Sequence, residues 1–218
     1  MTESATIYMV DDHPLFRKGV KQLIDLDTSL HTVGEASSGE EAVNHIDSMD
    51  DEPDVILLDL NMGEMSGLET LKKLRDKGVT SKIIMLTVSD NDEDVIHCIR
   101  SGADGYLLKD MEPEDIMHKL KEATSGQMVI SESLRQILTT ALRESGAEKT
   151  DLISTLTNRE YEILDFIAHG LSNKMIARNL GISEGTVKVH VKHLLKKLNM
   201  RSRVEAAVWM VNQKSNRS

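Results

Sequence analysis

The chain has 218 residues and a formal net charge of −10, from 26 Lys and Arg against 36 Asp and Glu. A single cysteine, Cys98, excludes an intramolecular disulfide framework and any metal site built from several cysteines, and it suits a reducing compartment. Few residues are aromatic (Phe 2, Trp 1, Tyr 3), which disfavours stacking platforms for single-stranded nucleic acids. Because no apolar run reaches membrane-spanning length and the N-terminus shows no secretory signal pattern, we expect a cytoplasmic protein.

The charge divides along the chain. Residues 1–130 contain 27 acidic and 12 basic side chains, a net charge of −15, whereas residues 152–218 contain 5 acidic and 11 basic side chains, a net charge of +6. Between them, apolar residues recur at helical spacing from Leu134 to Leu142 and a polar stretch follows. We therefore predict one domain over 1–126, a linker helix and tether over 127–151, and a second domain over 152–218.

The N-terminal part alternates short apolar runs with amphipathic segments, the pattern of a parallel sheet that helices cover on both faces. The predicted strands are 7–10, a weaker run at 32–33, 55–58, 83–86 and 106–108. The predicted helices cover 14–26, 39–49, 66–77, 91–102 and 113–124. The predicted fold class is thus a doubly wound α/β domain with five parallel strands.

Polar residues follow four of these strands. Asp11 and Asp12 follow the first strand, Asp59 and Thr87 follow two central strands, and Lys109 follows the last. Ligands of open α/β sheets bind at the carboxyl ends of the strands, where these side chains converge. Clustered carboxylates raise one another's pKa unless a cation compensates, and Mg²⁺ prefers such oxygen ligands. A carboxylate beside Mg²⁺ can also attack phosphorus and form an acyl phosphate.

Each of these residues also has a structural interpretation. Asp11 and Asp12 suit the cap of a helix that starts near Pro14, and Asp59 with Lys109 suits an ion pair. Capping does not explain why four strand ends all carry the appropriate chemistry. His13, which precedes that proline, is interpreted as a structural residue of the helix start rather than a phosphohistidine.

The N-terminal part resembles the receiver domain of response regulators, through VDDHP at 10–14, LLDLN at 57–61, LT at 86–87 and GADGYLLKD at 102–110. The resemblance implies a flavodoxin-like receiver fold, with Asp59 accepting a phosphoryl group from a membrane sensor histidine kinase. It also implies that Mg²⁺ is held by Asp11, Asp12, Asp59 and the backbone carbonyl of Asn61. The residues of the switch would be Thr87, Tyr106 and Lys109.

Two positions depart from the receiver pattern. Gly63 stands where a proline is usual after the acceptor strand, which predicts a less rigid loop. Val88 stands where a small residue usually follows the switch threonine. We expect Val88 to narrow access to the phosphoryl group and to slow either its transfer from small donors or its hydrolysis.

Four short helices are predicted in residues 152–218. A capping box at 157–160 opens the first, which ends near Gly170, and a second capping box at 202–205 opens the last. Ser172 caps the second helix, which ends at Gly181, and Ser183 caps the third, which runs to about residue 198. A middle pair joined by so short a turn is typical of a helix-turn-helix.

The third of these helices has two different faces. At 100° per residue, one stripe is formed by Val187, Val191, Leu194, Leu195 and Leu198. Lys192, Lys196 and Val189 lie on the far side, with Lys188 at the border. A valine between lysines suits a thymine methyl group in a major groove, and the eight basic residues of 172–203 suit phosphates. The alternative is a solvated basic face of a helical bundle.

The C-terminal part resembles the four-helix DNA-binding domain of LuxR-type regulators, through LTNRE at 156–160, GLSNKMIA at 170–177 and GTVKVHVK at 185–192. Further stretches at 109–115, 187–193 and 203–209 are similar to nitrate- and nitrite-responsive members of the NarL/FixJ family. The resemblance implies DNA contacts from Lys188, Val189, Lys192, Lys196, His193, Lys174 and Arg178. It implies a dimer contact on the last helix, at Val204, Ala207 and Val208.

The predicted function is transcription regulation controlled by phosphorylation, without enzymatic turnover. Phosphorylation of Asp59 would free the C-terminal domain to bind double-stranded promoter DNA as a homodimer, in nitrate- or nitrite-responsive gene control, with RNA polymerase as a further candidate partner. The alternative is an Mg²⁺-dependent phosphatase or phosphotransferase, but Asn61 stands where those enzymes carry a second acid, and no cap domain is visible. A flavodoxin-like cofactor binder would need a glycine-rich loop after the first strand, which the sequence lacks.

Overall fold

The structure is a computed structural model that describes residues 4–88, 92–124 and 149–215. The chain divides into two compact units, Met1–Thr124 and Ser125–Ser218. Most of the predicted linker helix and tether lies outside the described residues, so the domain limits that it sets stay predictions. Among the helices that the structure describes, none combines the length and apolarity needed to cross a bilayer.

The first unit is a sheet of five parallel strands in the order β2-β1-β3-β4-β5, with five helices between and after them. The strands are β1 (Ala5–Val10), β2 (Leu30–Ala36), β3 (Val55–Asp59), β4 (Lys82–Thr87) and β5 (Gly105–Leu108). The helices are α1 (Pro14–Asp25), α2 (Gly39–Ser48), α3 (Gly67–Asp76), α4 (Asp92–Arg100) and α5 (Pro113–Thr124). The predicted fold class is confirmed.

The central strands are apolar except at their ends because helices cover both of their faces. On one face, Ile7 and Leu57 pack with Ile24 of α1 and Leu120 of α5. The edge strand β2 is longer than the two-residue run that the sequence predicts, since only its ends are fully buried and its middle carries polar residues such as Glu35. An edge strand of this kind gives a weak apolar signal.

The chain winds in opposite directions from β1, which lies between β2 and β3, so the crevice of the sheet opens at the carboxyl ends of β1 and β3. There α3 begins directly against the end of β3. A Cβ atom on Gly67 would lie 2.0 Å from the carbonyl oxygen of Asp59, so this approach requires glycine. Ser66 caps α3 in a reciprocal capping box with Glu69.

At the opposite rim, the amino ends of the strands are tied together by Arg75. Its guanidinium lies 2.5 Å from Asp104 Oδ2, and both side chains are buried. The same group donates hydrogen bonds to the carbonyl oxygens of Gly102, Val79 and Ser81. The end of α3, the start of β4 and the approach to β5 are therefore held by one side chain, which we call the Arg75 clamp.

Within residues 149–215, the second unit contains a short 3-10 helix, Lys149–Thr155, and four α-helices: α6 (Asn158–Ala168), α7 (Asn173–Leu180), α8 (Glu184–Leu198) and α9 (Arg203–Ser215). Their apolar faces form one core that includes Ile163, Ile176, Val191, Leu194 and Trp209. Gly181 ends α7 in the left-handed conformation, at φ 63°, and sets the turn to α8. The predicted helix-turn-helix is confirmed.

The start of α6 combines a cap with an ion pair. Thr157 and Glu160 form the predicted capping box, and Lys197 Nζ lies 2.6 Å from Glu160 Oε2. Burial alone would raise the pKa of Glu160, but hydrogen bonds from Lys197 and Thr157 outweigh it and hold the pKa below its ordinary value. This contact ties α6 to the end of α8.

Candidate functional site

An acidic pocket lies at the carboxyl ends of β1, β3 and β5. Asp11 follows β1 and Asp59 ends β3, and both are 0% exposed. Lys109 follows β5, where its backbone N–H donates to the Thr87 carbonyl, and its Nζ lies 2.8 Å from both Asp11 Oδ2 and Asp59 Oδ2. The residues that the sequence places at separate strand ends thus converge, because parallel strands end at the same rim.

Backbone amides of the loop after β3 complete the pocket. The N–H of Asn61 donates to Asp59 Oδ1 over 3.1 Å, and the N–H of Gly63 donates to Asp12 Oδ2 over 3.2 Å. A Cβ atom on Gly63 would meet nothing within 4 Å, so nothing in its surroundings demands glycine. What this position supplies to the pocket is its backbone N–H.

His13 has a position that the sequence analysis did not predict. Its backbone N–H donates to Asp11 Oδ1, and its side chain makes no capping hydrogen bond to α1. Instead, Nδ1 lies 2.8 Å from Asp12 Oδ1, 3.3 Å from Asp11 Oδ1 and 3.7 Å from Asp59 Oδ2. Its place next to the two aspartates in the sequence is the signal that would have found it.

Phe16 is a second residue that the sequence analysis missed. The Nζ atom of Lys109 lies 4.9 Å from the centroid of its ring, a distance at which a cation is attracted to the ring face. The next residue of α1, Arg17, donates a hydrogen bond to the carbonyl oxygen of Asp11. Helix α1 therefore supports both the lysine and the backbone of the pocket.

The pocket is short of positive charge. Burial raises the pKa of Asp59, and Asp11 adds to the rise, while Lys109 and the Asn61 N–H partly offset it. Burial alone would lower the pKa of Lys109, but its contacts with Asp11 and Asp59 outweigh burial and raise it. Lys109 is thus a fixed cation facing three carboxylates.

The donor atoms of the pocket fit a divalent metal ion. One atom from each of Asp11, Asp12, His13 and Asp59 lies within 4.8 Å of the others. Asp11 Oδ2, Asp12 Oδ1 and Asp59 Oδ2 are buried, and within the described ranges none accepts a hydrogen bond of normal geometry, although Lys109 or His13 lies close to each. Buried carboxylate oxygens of this kind are ligands that hard cations prefer.

The other predicted switch residues lie on β4 and β5. Thr87 is buried at the end of β4, and Tyr106 is half-buried on β5. Val88, the residue after β4, is 71% exposed. Its predicted effect on access to the pocket stays a prediction.

A basic surface lies on α8. Lys192, His193 and Lys196 are exposed, and Val189 is 53% exposed although it is apolar. The opposite stripe is buried, including Val187 and Leu198, as the helical wheel predicts. Lys188 is half-buried at the border, with Nζ 3.5 Å from Glu184 Oε1. On α7, Lys174 is half-buried and Arg178 is exposed.

The predicted dimer contact lies on α9. In this structure Val204, Ala207 and Val208 are all buried, and Ala207 packs in the core of the helical unit. They therefore form no exposed apolar surface, and the large apolar side chain that α9 exposes is Val211. A dimer contact through this helix stays a prediction.

Residues 7–121 match the family described as response regulator receiver domain, and residues 154–210 match bacterial regulatory proteins of the luxR family. The chain belongs to the response regulators, with a receiver domain followed by a LuxR-type DNA-binding domain, and it is a transcription regulator. The sequence-based prediction of family and general function is confirmed.

Among similar proteins is the nitrate/nitrite response regulator protein NarL of Escherichia coli (strain K12), 54% identical over 208 residues, which are 95% of each chain. A nitrate/nitrite response regulator homolog from Haemophilus influenzae is 45% identical over 213 residues, covering 98% of this chain and 99% of that one. The solved receiver domain of a putative response regulator NarL from Mycobacterium tuberculosis is 32% identical, with a TM-score of 0.52, and covers 55% of this chain and 95% of that chain.

Proposed function

We propose that Asp59 accepts a phosphoryl group from a membrane sensor histidine kinase and that this modification controls DNA binding. The observation that carries the proposal is the buried Asp59 carboxylate, which Lys109 contacts at 2.8 Å while two further carboxylates lie beside it. A buried acid with a raised pKa and a fixed cation beside it is suited to attack phosphorus through a lone pair of its carboxylate oxygen.

Asp11, Asp12, Asp59 and the carbonyl of Asn61 would hold Mg²⁺, which supplies neutralisation of phosphoryl charge when bound. A carboxylate oxygen of Asp59 forms the new bond to phosphorus as the bond to the kinase's histidine breaks. Lys109 balances the charge of the phosphoryl oxygens, and the Thr87 hydroxyl donates a hydrogen bond to one of them. Tyr106, on β5 three residues before Lys109, would change rotamer as Thr87 moves.

The C-terminal domain would bind promoter DNA in response to phosphorylation. Val189, Lys188 and Lys192 would contact base edges in the major groove, and other basic side chains would contact phosphates: Lys174, Arg178, His193 and Lys196. The exposure of Val189 between lysines supports this assignment. Val204, Ala207 and Val208 would form a homodimer contact, which requires α9 to expose a face that is buried in this structure.

The signal and further partners follow from the relatives. Two of them bear names that assign them to nitrate and nitrite response, and we propose the same class of signal for this chain. RNA polymerase is a further proposed partner. Turnover of phosphomonoesters is not part of the proposal, because Asn61 rather than an acid stands two residues after Asp59.

The test is DNA-binding anisotropy of the full chain, on a duplex selected from random sequence by the phosphorylated protein. With acetyl phosphate and Mg²⁺, the wild type should bind more tightly than without them, and Asp59→Asn should not respond. Asp47→Asn, which alters an exposed acid on α2, is the matched control and should respond like the wild type. An Asp59→Asn protein that binds as tightly as the phosphorylated wild type would refute the coupling.

A second measurement separates the switch from the alternative enzyme. The switch predicts one stable phosphoryl group per chain, whereas a phosphatase or phosphotransferase turns over phosphomonoesters repeatedly. A crystal grown with Mg²⁺ and a beryllofluoride mimic should show both at Asp59. An empty pocket in that crystal would refute the proposal.

A further inference from the structure

We propose that His13 makes the acidic pocket a mixed nitrogen and oxygen site, which binds a divalent ion of the first transition series, such as Mn²⁺ or Zn²⁺, more tightly than Mg²⁺. The inference rests on the proposed function only in that it uses the same carboxylates. It adds a fifth ligand residue, His13 with its imidazole Nδ1, and with it a different preference among metals.

The distances around Nδ1 are those of ligands that share one ion. Ligands bound at about 2.1 Å lie about 3.0 Å apart when adjacent and about 4.2 Å apart when opposite in an octahedral site. Nδ1 of His13 lies 2.8 Å from Asp12 Oδ1, 3.3 Å from Asp11 Oδ1 and 3.7 Å from Asp59 Oδ2. All three distances fit donors that surround a common centre.

The hydrogen bonding of these atoms points the same way. Although Nδ1 lies 2.8 Å from Asp12 Oδ1, that buried oxygen accepts no hydrogen bond of normal geometry within the ranges that the structure describes. Asp11 Oδ2 and Asp59 Oδ2 are also buried, on side chains that are at most 1% exposed, and Lys109 Nζ contacts each of them at 2.8 Å. The imidazole nitrogen and the carboxylate oxygens thus lie around one space, where Lys109 supplies a single positive charge against three carboxylates.

The backbone holds His13 in this position. Its N–H donates to Asp11 Oδ1 over 2.7 Å, and Pro14 fixes the start of α1 directly after it. The side chain is 65% exposed, so the ring reaches an ion from the solvent side without being buried first.

The chemistry of the ligand set decides the metal. Mg²⁺ takes oxygen ligands and binds imidazole poorly, whereas Zn²⁺, Ni²⁺ and Mn²⁺ accept imidazole with carboxylates. Affinity of such N and O sites rises from Mn²⁺ towards the later metals of the series. An ion of this series bound through His13 would compete with Mg²⁺ for the pocket.

The test uses the full chain without an affinity tag, at one fixed neutral pH. Mn²⁺ bound to the protein is examined by pulsed electron paramagnetic resonance, which detects coupling to the nitrogen of a ligating imidazole. Zn²⁺ and Mg²⁺ are then titrated to displace Mn²⁺. The variant is His13→Gln, and the matched control is His118→Gln, which alters an exposed histidine of α5 that lies beside Glu122.

The wild type and His118→Gln should show the nitrogen coupling, and His13→Gln should lose it. His13→Gln should also lose about tenfold or more in Zn²⁺ affinity, while its Mg²⁺ affinity stays unchanged. Equal Zn²⁺ affinities for the wild type and His13→Gln, or no nitrogen coupling in the wild type, would overturn this inference and leave the phosphorylation proposal standing. A wild type that binds neither Mg²⁺ nor Mn²⁺ would overturn both.

Discussion

Lys109→Met removes the only lysine that contacts the pocket carboxylates among the described residues, and keeps most of the apolar stem. Lys109 is 10% exposed, and it lies 2.8 Å from one oxygen each of Asp11 and Asp59, which are fully buried. Removal of one partner from a buried ion pair costs about 3–5 kcal/mol, because it leaves an uncompensated charge. We expect the free energy of unfolding of the receiver to fall by that amount at neutral pH without Mg²⁺.

The loss should depend on pH with a definite sign. Burial already raises the pKa of Asp59 above its ordinary 3.8, and loss of Lys109 raises it further. An acid whose pKa is higher in the folded than in the unfolded chain destabilises the fold once it ionises. The loss of unfolding free energy in Lys109→Met should therefore be small at a pH below 3.8. It should grow as the pH rises through the pKa that Asp59 has in the folded protein, and stay constant above that pKa.

Metal should reverse part of the effect. Mg²⁺ at a hundredfold excess over its Kd stabilises a protein that binds it only when folded by about 2.7 kcal/mol. Because the variant has lost a competing cation, Mg²⁺ should stabilise it at least as much as the wild type. If Mg²⁺ restores the unfolding free energy of Lys109→Met, the missing positive charge rather than lost packing causes the instability.

Urea unfolding of the full chain measures these changes. Far-UV circular dichroism reports both units, whereas the single tryptophan, Trp209, lies in the core of the helical unit and reports that unit alone. If a substitution shifts the urea midpoint measured by dichroism but not the one measured by fluorescence, the destabilised unit is the receiver.

The control is Lys77→Met. Lys77 lies 2.7 Å from Asp47, a similar distance, but the two side chains are 40% and 53% exposed, so the expected loss is about 0–1 kcal/mol. Equal losses in the two variants, or a loss in Lys109→Met that is independent of pH and Mg²⁺, would refute the reasoning.

Three further predictions address the acidic pocket, the basic surface of α8 and the cap of α6. Phe16→Leu should slow phosphorylation by acetyl phosphate a few-fold, because the contact between the Lys109 cation and the ring contributes about 0.5–2 kcal/mol, whereas Phe16→Trp keeps a ring and should not slow it. Identical rates for Phe16→Leu and the wild type would show that the ring has no part in the reaction. Lys192→Ala should lose about 1–3 kcal/mol of discrimination between selected and random duplexes by anisotropy if Lys192 binds guanine, and equal losses on both would assign it to phosphate. Thr157→Ala should lower the stability of the helical unit by about 0.5–2 kcal/mol, measured by Trp209 fluorescence, and an unmoved midpoint would contradict the role of the cap.

Much of the fold follows from patterns that the sequence carries locally. Strands β1, β3 and β4 contain continuous apolar runs because helices cover both of their faces, and such runs can be recognised in the amino-acid sequence. The sequence pattern predicts only two residues of β2, because an edge strand has to bury only part of its length. The capping boxes of α3 and α6 involve residues three apart, so the positions where these helices begin are also predictable.

The acidic pocket could be predicted only in part. Its carboxylates and Lys109 follow from the rule that parallel strands end at a common rim. The positions of His13 and Phe16 depend on the direction in which α1 leaves β1, which is set by packing against the sheet. No spacing in the sequence encodes the 4.9 Å between Phe16 and Lys109.

The Arg75 clamp lies at one rim of the receiver sheet, while the acids and their loops lie at the other. Gly63 is open to a side chain and Val88 projects into solvent, so neither departure from the receiver pattern disturbs the clamp. Substitutions at positions 63 and 88 should therefore leave the stability that the clamp confers unchanged. If these two positions set the rate of phosphorylation, that rate could be altered without weakening the scaffold.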